Sequence, residues 1–301
     1  MEKRSCDSDV ICLGQAVVDC ITRAMEKAPE EKLAIRAEKI GLSTGGDAVN
    51  ESFVLAQLGY KVKLVCGLGN DLAGMILRQE AQRFGVDTGR IRIIDGMDTP
   101  VANLMVAVDG SRRSVNSRAT MLEKYLPEEN DVKGAKIVSF ASLFRAPLDQ
   151  KDVIIRLLRS AYEDGAVICA DTKLPTFRQL SLEDLKEVLP MISYLFPNEK
   201  EAAFYTGQTQ FEEMAKVFHD YGIPNVIIKT GPDGCFVSTQ EESFSLPAHQ
   251  VKVVDTTGAG DNFVAGFISG LLKGEDLRAC SKRALLQAAE NVQHMGAVWK
   301  K

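Results

Sequence analysis

The sequence predicts an α/β fold: a doubly wound, mostly parallel sheet with helices on both faces and a small β lid. Three observations carry that prediction. Short apolar runs alternate with stretches of helical period, a glycine-rich turn near the C-terminus feeds a long apolar helix, and two early segments break the alternation.

Residues 10–13, 62–65, 137–140, 167–170, 194–196 and 226–229 are short apolar runs bounded by charge, Gly or Pro, the pattern of strands covered on both sides. Between them, residues 48–58, 75–84, 151–162, 182–188 and 211–221 are amphipathic at helical spacing. Strands and helices in that order place a ligand beyond the carboxyl ends of the strands. Residues 17–44 carry no clean helix caps, and residues 101–108 and 111–115 flank Asp109-Gly110, the dipeptide of a tight antiparallel hairpin. These segments make either a lid over the main sheet, from about residues 15–44 and 97–120, or a pair of edge strands with no closing role. The chain, 1–301, is then one domain with that appendage, and its charge-dense stretch 25–39 reads as a solvated face.

Composition narrows the function classes. The 301 residues hold 36 Lys+Arg against 41 Asp+Glu, a net charge of −5, with 45% hydrophobic residues, which excludes disorder and coiled coil. A mildly acidic chain lacks the basic stripe of a nucleic-acid binder, so small molecules are the expected partners. Residues 1–9 are charged and polar and no long apolar run follows, so a cytoplasmic location without a membrane partner is expected. The seven cysteines are odd in number and never spaced Cys-x-x-Cys, and His219, His249 and His294 lie far apart; neither a disulfide framework nor a structural zinc site is expected.

The most informative segment is 251–272. Residues 251–254 read as a strand, Asp255-Thr256-Thr257-Gly258-Ala259-Gly260-Asp261 as a turn, and Phe263, Val264, Phe267, Ile268, Leu271 and Leu272 as the stripe of a buried helix. Free backbone N–H groups at such a helix start favour a phosphate or an oxyanion, and Gly258 and Gly260 let the backbone come close to it. Asp261 would repel a phosphate unless it takes the proton of a hydroxyl that attacks phosphorus; the alternative is an N-terminal helix cap. No Gly-Lys-Ser or Gly-Lys-Thr follows a glycine-rich loop, which excludes the P-loop. The dinucleotide fingerprint would need Gly at Phe263, and in the block from Gly67 to Gly74 the third Gly falls two places late.

This turn and helix resemble the C-terminal signature of the ribokinase-like (PfkB) carbohydrate kinases, and further blocks occur in that family's order. Gly45-Gly46-Asp47-Ala48-Val49-Asn50 with Leu58-Gly59 is similar to its N-terminal signature, Val65-Cys66-Gly67-Leu68-Gly69-Asn70-Asp71-Leu72-Ala73-Gly74 and Phe84-Gly85-Val86-Asp87 to its next blocks. Asn198-Glu199-Lys200-Glu201 matches its Asn-x-x-Glu motif, and Lys229-Thr230-Gly231-Pro232-Asp233-Gly234 resembles its Lys-x-Gly-x-x-Gly turn. The resemblance covers about residues 10–298.

It implies an ATP-dependent kinase that moves the γ-phosphate to a primary hydroxyl of a small sugar or sugar acid, of fructokinase, ribokinase or keto-deoxygluconate-kinase type. A nucleoside kinase of the same fold and a non-catalytic sugar or nucleotide sensor are the alternatives; residues 17–44 contain no aromatic side chain, which favours sugars. By the same resemblance Asp261 is the catalytic base and the N–H groups of Gly258, Ala259 and Gly260 form the anion hole. Asp19, Gly45, Gly46 and Asn50 hold the sugar, unless Asp19 is only an exposed loop residue, and Arg118 either touches it or covers the lid's outer face. Lys229, Thr230, Gly231 and Gly234, with Gln287 and Asn291 of the last helix, hold ATP, although Asn291 could equally be a surface residue. Asn198 and Glu201 organise Mg²⁺ through water, or merely start a solvated helix; Asp255 and Thr257 fall where relatives bind a monovalent cation such as K⁺. Two departures argue against strict ribokinase specificity: Asp47 stands where ribokinase has Lys, and residues 139–143 lack its sugar-binding Glu. The lid's β surface could pair two subunits as a homodimer.

Overall fold

The computed structural model describes residues 6–25, 36–108, 112–117, 125–176 and 178–299. In chain order the elements begin with β1 (Ser8–Leu13), β2 (Val17–Met25), β3 (Lys39–Gly45), α1 (Asp47–Gln57), β4 (Val62–Gly69), α2 (Leu72–Arg83), β5 (Ile91–Ile94), β6 (Val101–Ala107) and β7 (Arg112–Asn116). They continue with β8 (Ala135–Leu143), α3 (Lys151–Glu163), β9 (Val167–Thr172), β10 (Tyr194–Leu195), α4 (Glu199–Thr206), α5 (Phe211–Asp220) and β11 (Val226–Lys229). The last are β12 (Cys235–Ser238), β13 (Ser243–Leu246), α6 (Ala259–Leu272) and α7 (Leu277–Asn291).

Nine strands form one sheet in the order β13-β12-β11-β10-β9-β8-β1-β4-β5. It is parallel from β5 across to β11, and only β12 and β13 run antiparallel, so the doubly wound, mostly parallel expectation is borne out. Alternation along β1 explains why the strands read as unbroken apolar runs. Val10 and Cys12 enter a core shared with Phe53 of α1 and Phe267 of α6; Ile11 and Leu13 enter the opposite core, with Leu157 of α3 and Phe218 of α5. At about 25 cal/mol per Å² of apolar surface, these two layers are the main source of stability.

The segments that broke the helical rhythm fold together. They form a second, four-stranded sheet in the order β3-β2-β6-β7. β2 pairs antiparallel with β3, setting Asp19 opposite Ser43, and parallel with β6, while β6 and β7 make the expected antiparallel hairpin. The Asp109-Gly110 turn lies outside the described residues. Ile40, Leu42 and Val115 of this sheet are exposed.

Two expected elements differ. Residues 182–188 do not form an α-helix but the 3₁₀ turn Glu183–Leu185, followed by another at Leu189–Met191. The stretch is too short to repay helix nucleation, Pro190 lacks the N–H that would continue it, and Ser181 binds the Asp184 carboxylate from both its N–H and its hydroxyl. Residues 251–254 do not form a strand: Val253 and Val254 are exposed, and the Val254 N–H donates to the Val292 carbonyl at the end of α7. With β13 closing that edge of the sheet, the β-branched run lies along α7 instead.

Candidate active site

Two helix starts meet at the carboxyl end of the sheet. Gly46 caps the start of α1 at φ 94° and Gly258 caps α6 at φ 74°. A Cβ on Gly46 would lie 2.5 Å from the Gln15 carbonyl oxygen, and one on Gly258 would lie 2.5 Å from the Ala297 methyl, so both turns require glycine. Ala259, Gly260 and Asp261 are the first turn of α6, where backbone N–H groups lack helical partners and the dipole favours an anion.

The Asp261 carboxylate is buried and reaches across to α1, where Asn50 Nδ2 donates to its Oδ2 at 2.6 Å. That separates it from an ordinary helix cap. Burial pushes the Asp261 carboxyl up to about 7, with the Asp47 carboxylate adding to the shift and Lys173 and Asn50 opposing it. A carboxylate tuned near neutrality can accept a proton from an alcohol beside it.

Asn50, Gly45 and Asp19 lie at the same end. Asp19, on β2, has its Oδ2 only 2.4 Å from where a Cβ on Gly45 would stand, and burial pushes its carboxyl up to about 6. Arg118 lies outside the described residues. On the other side of the Gly258 turn is a cavity of about 410 Å³, walled by Val251, Phe263, Leu285, Ala288 and Val292, with Lys229, Gly231, Gly234 and Gly260 at its polar end. An apolar slot with a few polar groups at one end suits a heteroaromatic base attached to phosphates.

Three expected nucleotide residues do not face this cavity. Thr230 is buried beside it, with its N–H donating to the Gly234 carbonyl. Gln287 donates to Asn262, and Asn291 donates to the carbonyls of Gly296 and Ala297. The cavity-facing side of α7 is Leu285, Ala288, Ala289 and Val292, spaced three and four apart; Gln287 and Asn291, four apart, fall on the neighbouring side. These amides fasten the C-terminal segment and α6.

Asn198 and Glu201 form a reciprocal cap at the start of α4: Asn198 Oδ1 accepts from the Glu201 N–H and Glu201 Oε2 accepts from the Asn198 N–H, both at 2.9 Å. Glu201 is nonetheless buried, takes a hydrogen bond from Thr172, and its carboxyl is raised by burial and by Asp171. Asp255 Oδ1 accepts from the N–H and hydroxyl of Thr257, and its Oδ2 from the Gly296 N–H, tying the glycine turn to the C-terminal segment. Among the described residues no group of three or more His, Cys, Asp and Glu could hold a metal ion. An ion met only by Asn198 and Glu201 would have to be held mainly by water and substrate phosphates, as magnesium commonly is.

Several site residues were absent from the sequence expectations. Asp171 is fully buried and accepts from Lys229 Nζ at 2.6 Å and Lys173 Nζ at 3.0 Å. Lys173 also lies 3.4 Å from Asp47 Oδ1 and 4.0 Å from Asp261 Oδ1. Glu51, beside Asn50 on α1, is fully buried with Oε2 bonded to the Ser139 hydroxyl, and burial pushes its carboxyl well up. The signal was available: Asp171 and Lys173 sit at the carboxyl end of β9, the edge where this class of sheet binds ligands.

A helix start with free N–H groups beside a buried carboxylate has the parts that a phosphotransferase with a hydroxyl acceptor needs, and that is the class of this chain's family. The chain matches the pfkB family carbohydrate kinase model over residues 7–299 and belongs to that family. It is 30% identical over 259 residues to the ATP-dependent ribose-1-phosphate kinase of Halopiger xanaduensis, covering 85% of this chain and 83% of that one. It is 28% identical over 263 residues to the ribokinase of Haemophilus influenzae, with coverage of 85% and 83%. Arabidopsis thaliana ribokinase complexed with ribose and ATP superposes with a TM-score of 0.81 at 26% identity, covering 96% of this chain and 94% of that one.

Proposed function

We propose that this protein is an ATP-dependent kinase of a small sugar or sugar acid, with Asp261 as its base. The observation that carries this reading is the position of Asp261: a buried carboxylate at the start of α6, bonded to Asn50, between the Asp19 and Gly45 end and the apolar cavity. ATP lies with its base in the cavity against Ala288 and Val292 and its phosphates toward Lys229, Gly231 and Gly234. The sugar hydroxyls bond to Asp19 and to Asn50, whose Oδ1 is buried without a hydrogen-bond partner among the described residues. Asp261 takes the proton of the attacking primary hydroxyl, and the N–H groups of Gly258, Ala259 and Gly260 receive the charge that develops on the transferring phosphoryl group.

Magnesium, organised by Asn198 and Glu201, would supply charge neutralisation of the phosphates. Asp255 and Thr257, bonded to each other at the start of the glycine turn, stand where a monovalent cation such as K⁺ would support the anion hole. The β3-β2-β6-β7 sheet carries Asp19 and Gly45 and acts as a lid; its exposed Ile40 and Leu42 are the surface for pairing as a homodimer. Among the described residues no helix is long and apolar enough to cross a membrane.

The test is ADP release from Asp261→Asn and the parent over ribose, fructose, keto-deoxygluconate and nucleosides. The parent should turn over a sugar, and the variant should lose about 10²–10⁴-fold, the worth of a positioned general base. Retention within about tenfold would overturn the base assignment. Turnover of nucleosides alone would replace the sugar reading, and a ligand-induced thermal shift without turnover would make the protein a sensor.

A further inference from the structure

Five carboxyl groups converge where α1, β9, α4 and α6 meet: Asp47, Glu51, Asp171, Glu201 and Asp261, of which Asp47 is the least enclosed. Among the described residues, the ammonium groups in ion-pair range of them are Lys173 and Lys229. Lys229 is committed to Asp171 Oδ1 at 2.6 Å. Lys173 bonds to the other oxygen, Asp171 Oδ2, at 3.0 Å, and its Nζ then stands 3.4 Å from Asp47 Oδ1 and 4.0 Å from Asp261 Oδ1. Asp47 is itself held on its Oδ2 by the Ser142 hydroxyl at 2.9 Å. The chain Lys229–Asp171–Lys173–Asp47–Ser142 therefore fixes one ammonium beside the oxygen of Asp261 that Asn50 leaves uncovered.

We propose that Lys173 is a positioning residue for phosphoryl transfer: anchored between Asp171 and Asp47, its ammonium keeps Asp261 in the charged, proton-accepting form. The inference rests on the proposed function for its catalytic meaning, while the electrostatic relationship stands on its own. A separation of 4.0 Å is too long for a hydrogen bond but short enough for strong attraction in a site closed to water, and it leaves Oδ1 free for the acceptor hydroxyl. Asp47 and Asp171 oppose ionisation of Asp261 by like charge, Asn50 supports it with one hydrogen bond, Arg145 faces Asp47, Glu51 is buried in the same cluster with its carboxyl pushed well up, and Glu201 faces Lys173 from α4. Lys173 itself is protonated well into the alkaline range, because Asp171, Asp47, Asp261 and Glu201 together outweigh its burial. The pair Asp47 and Lys173 thus act on Asp261 with opposite sign.

Opposite sign gives a test that a merely structural role would not satisfy. The Asp261 carboxyl is followed by NMR in the whole protein labelled with ¹³C-carboxyl aspartate, its signal assigned by comparison with Asp261→Asn, and the acid limb of kcat/KM is recorded in parallel. In Lys173→Met both should move to higher pH by about 1–3 pH units, and in Asp47→Asn both should move to lower pH. The double variant should lie between them, and Lys173→Arg should stay near the parent. Should Lys173→Met fail to fold, Lys173→Gln, which also removes the charge but keeps a donor for Asp171, is titrated in its place with the same shift expected. An unmoved Asp261 titration in the folded variants overturns the proposal, as does a rise in the KM for ATP with an unmoved acid limb. The NMR readout does not depend on turnover, so an active Asp261→Asn would defeat the base assignment while leaving the titration result standing.

Discussion

Asn50 Nδ2 donates to Asp261 Oδ2 at 2.6 Å and so joins the first turns of two helices that lie 211 residues apart in the chain. α1 begins at the acceptor loop and α6 at the anion site, and this one bond sets the two in register. It also satisfies one carboxylate oxygen and leaves the other facing Lys173.

Replacing Asn50 with Ala removes a hydrogen bond to a charged group and a contact to the acceptor. A bond of that kind is worth about 1.5–3 kcal/mol, so kcat/KM for the sugar should fall about 10–150-fold, read by steady-state kinetics. The acid limb should also move to higher pH, because Asn50 is one of the groups that lower the Asp261 proton affinity.

The pH dependence of the parent follows from the two raised carboxyls. Asp261, at about 7, must be ionised to accept a proton, so kcat/KM should fall about tenfold per pH unit below that value. Asp19, at about 6, should add a second loss, expressed as a rising acceptor KM as pH falls through 6. A flat profile between pH 5 and 8 would contradict both.

Stability should move the other way. A carboxyl whose folded-state pKa is raised binds its proton more tightly folded than unfolded, so its contribution to stability falls as pH climbs from about 4 to about 7. Asp261→Asn removes that cost. Its Tm should exceed the parent's at pH 8 by about 2–4 °C for each kcal/mol recovered, and the gain should shrink toward pH 5 in thermal scans.

The sheet, its flanking helices and the glycine turn were legible in the sequence because burial on both faces writes itself as apolar runs, as along β1. Residues 182–188 were misread for a related reason: Leu185, Val188 and Leu189 are buried, but burial alone does not make an α-helix next to Pro190. The site was legible where a motif is local, as from Gly45 to Asn50 and from Asp255 to Asp261. It was half legible at Asp171 and Lys173: their place at the end of β9 marks the ligand edge, but their role comes from partners more than 50 residues away in Lys229, Asp47 and Asp261. The amides of Gln287 and Asn291 were assigned from the family resemblance, which does not say which side of α7 the cavity occupies.

The cavity reading makes its own demand. Ala288→Phe places a ring where the nucleotide base is proposed to lie, so the KM for ATP should rise about tenfold or more while the acceptor KM stays unchanged. A rise in both would mean that the ring disturbs α6 and α7 together.

The neighbouring glycines Gly45 and Gly46 should fail in different ways when each is replaced by Ala. Gly46 sits at φ 94°, and its new Cβ would press on the Gln15 carbonyl at 2.5 Å, a backbone atom that cannot yield. Gly46→Ala should therefore lose stability by about 1 kcal/mol or more, visible as a lower Tm. Gly45 is not in the left-handed region, and the atom its Cβ would meet is the tip of Asp19 at 2.4 Å, which can swing aside. Gly45→Ala should keep a Tm near the parent's, but with Asp19 displaced the acceptor KM should rise about tenfold while the KM for ATP holds. If Gly45→Ala instead lost stability and left the acceptor KM alone, Asp19 would be a structural carboxylate of the lid and the sugar would have to be held by other groups.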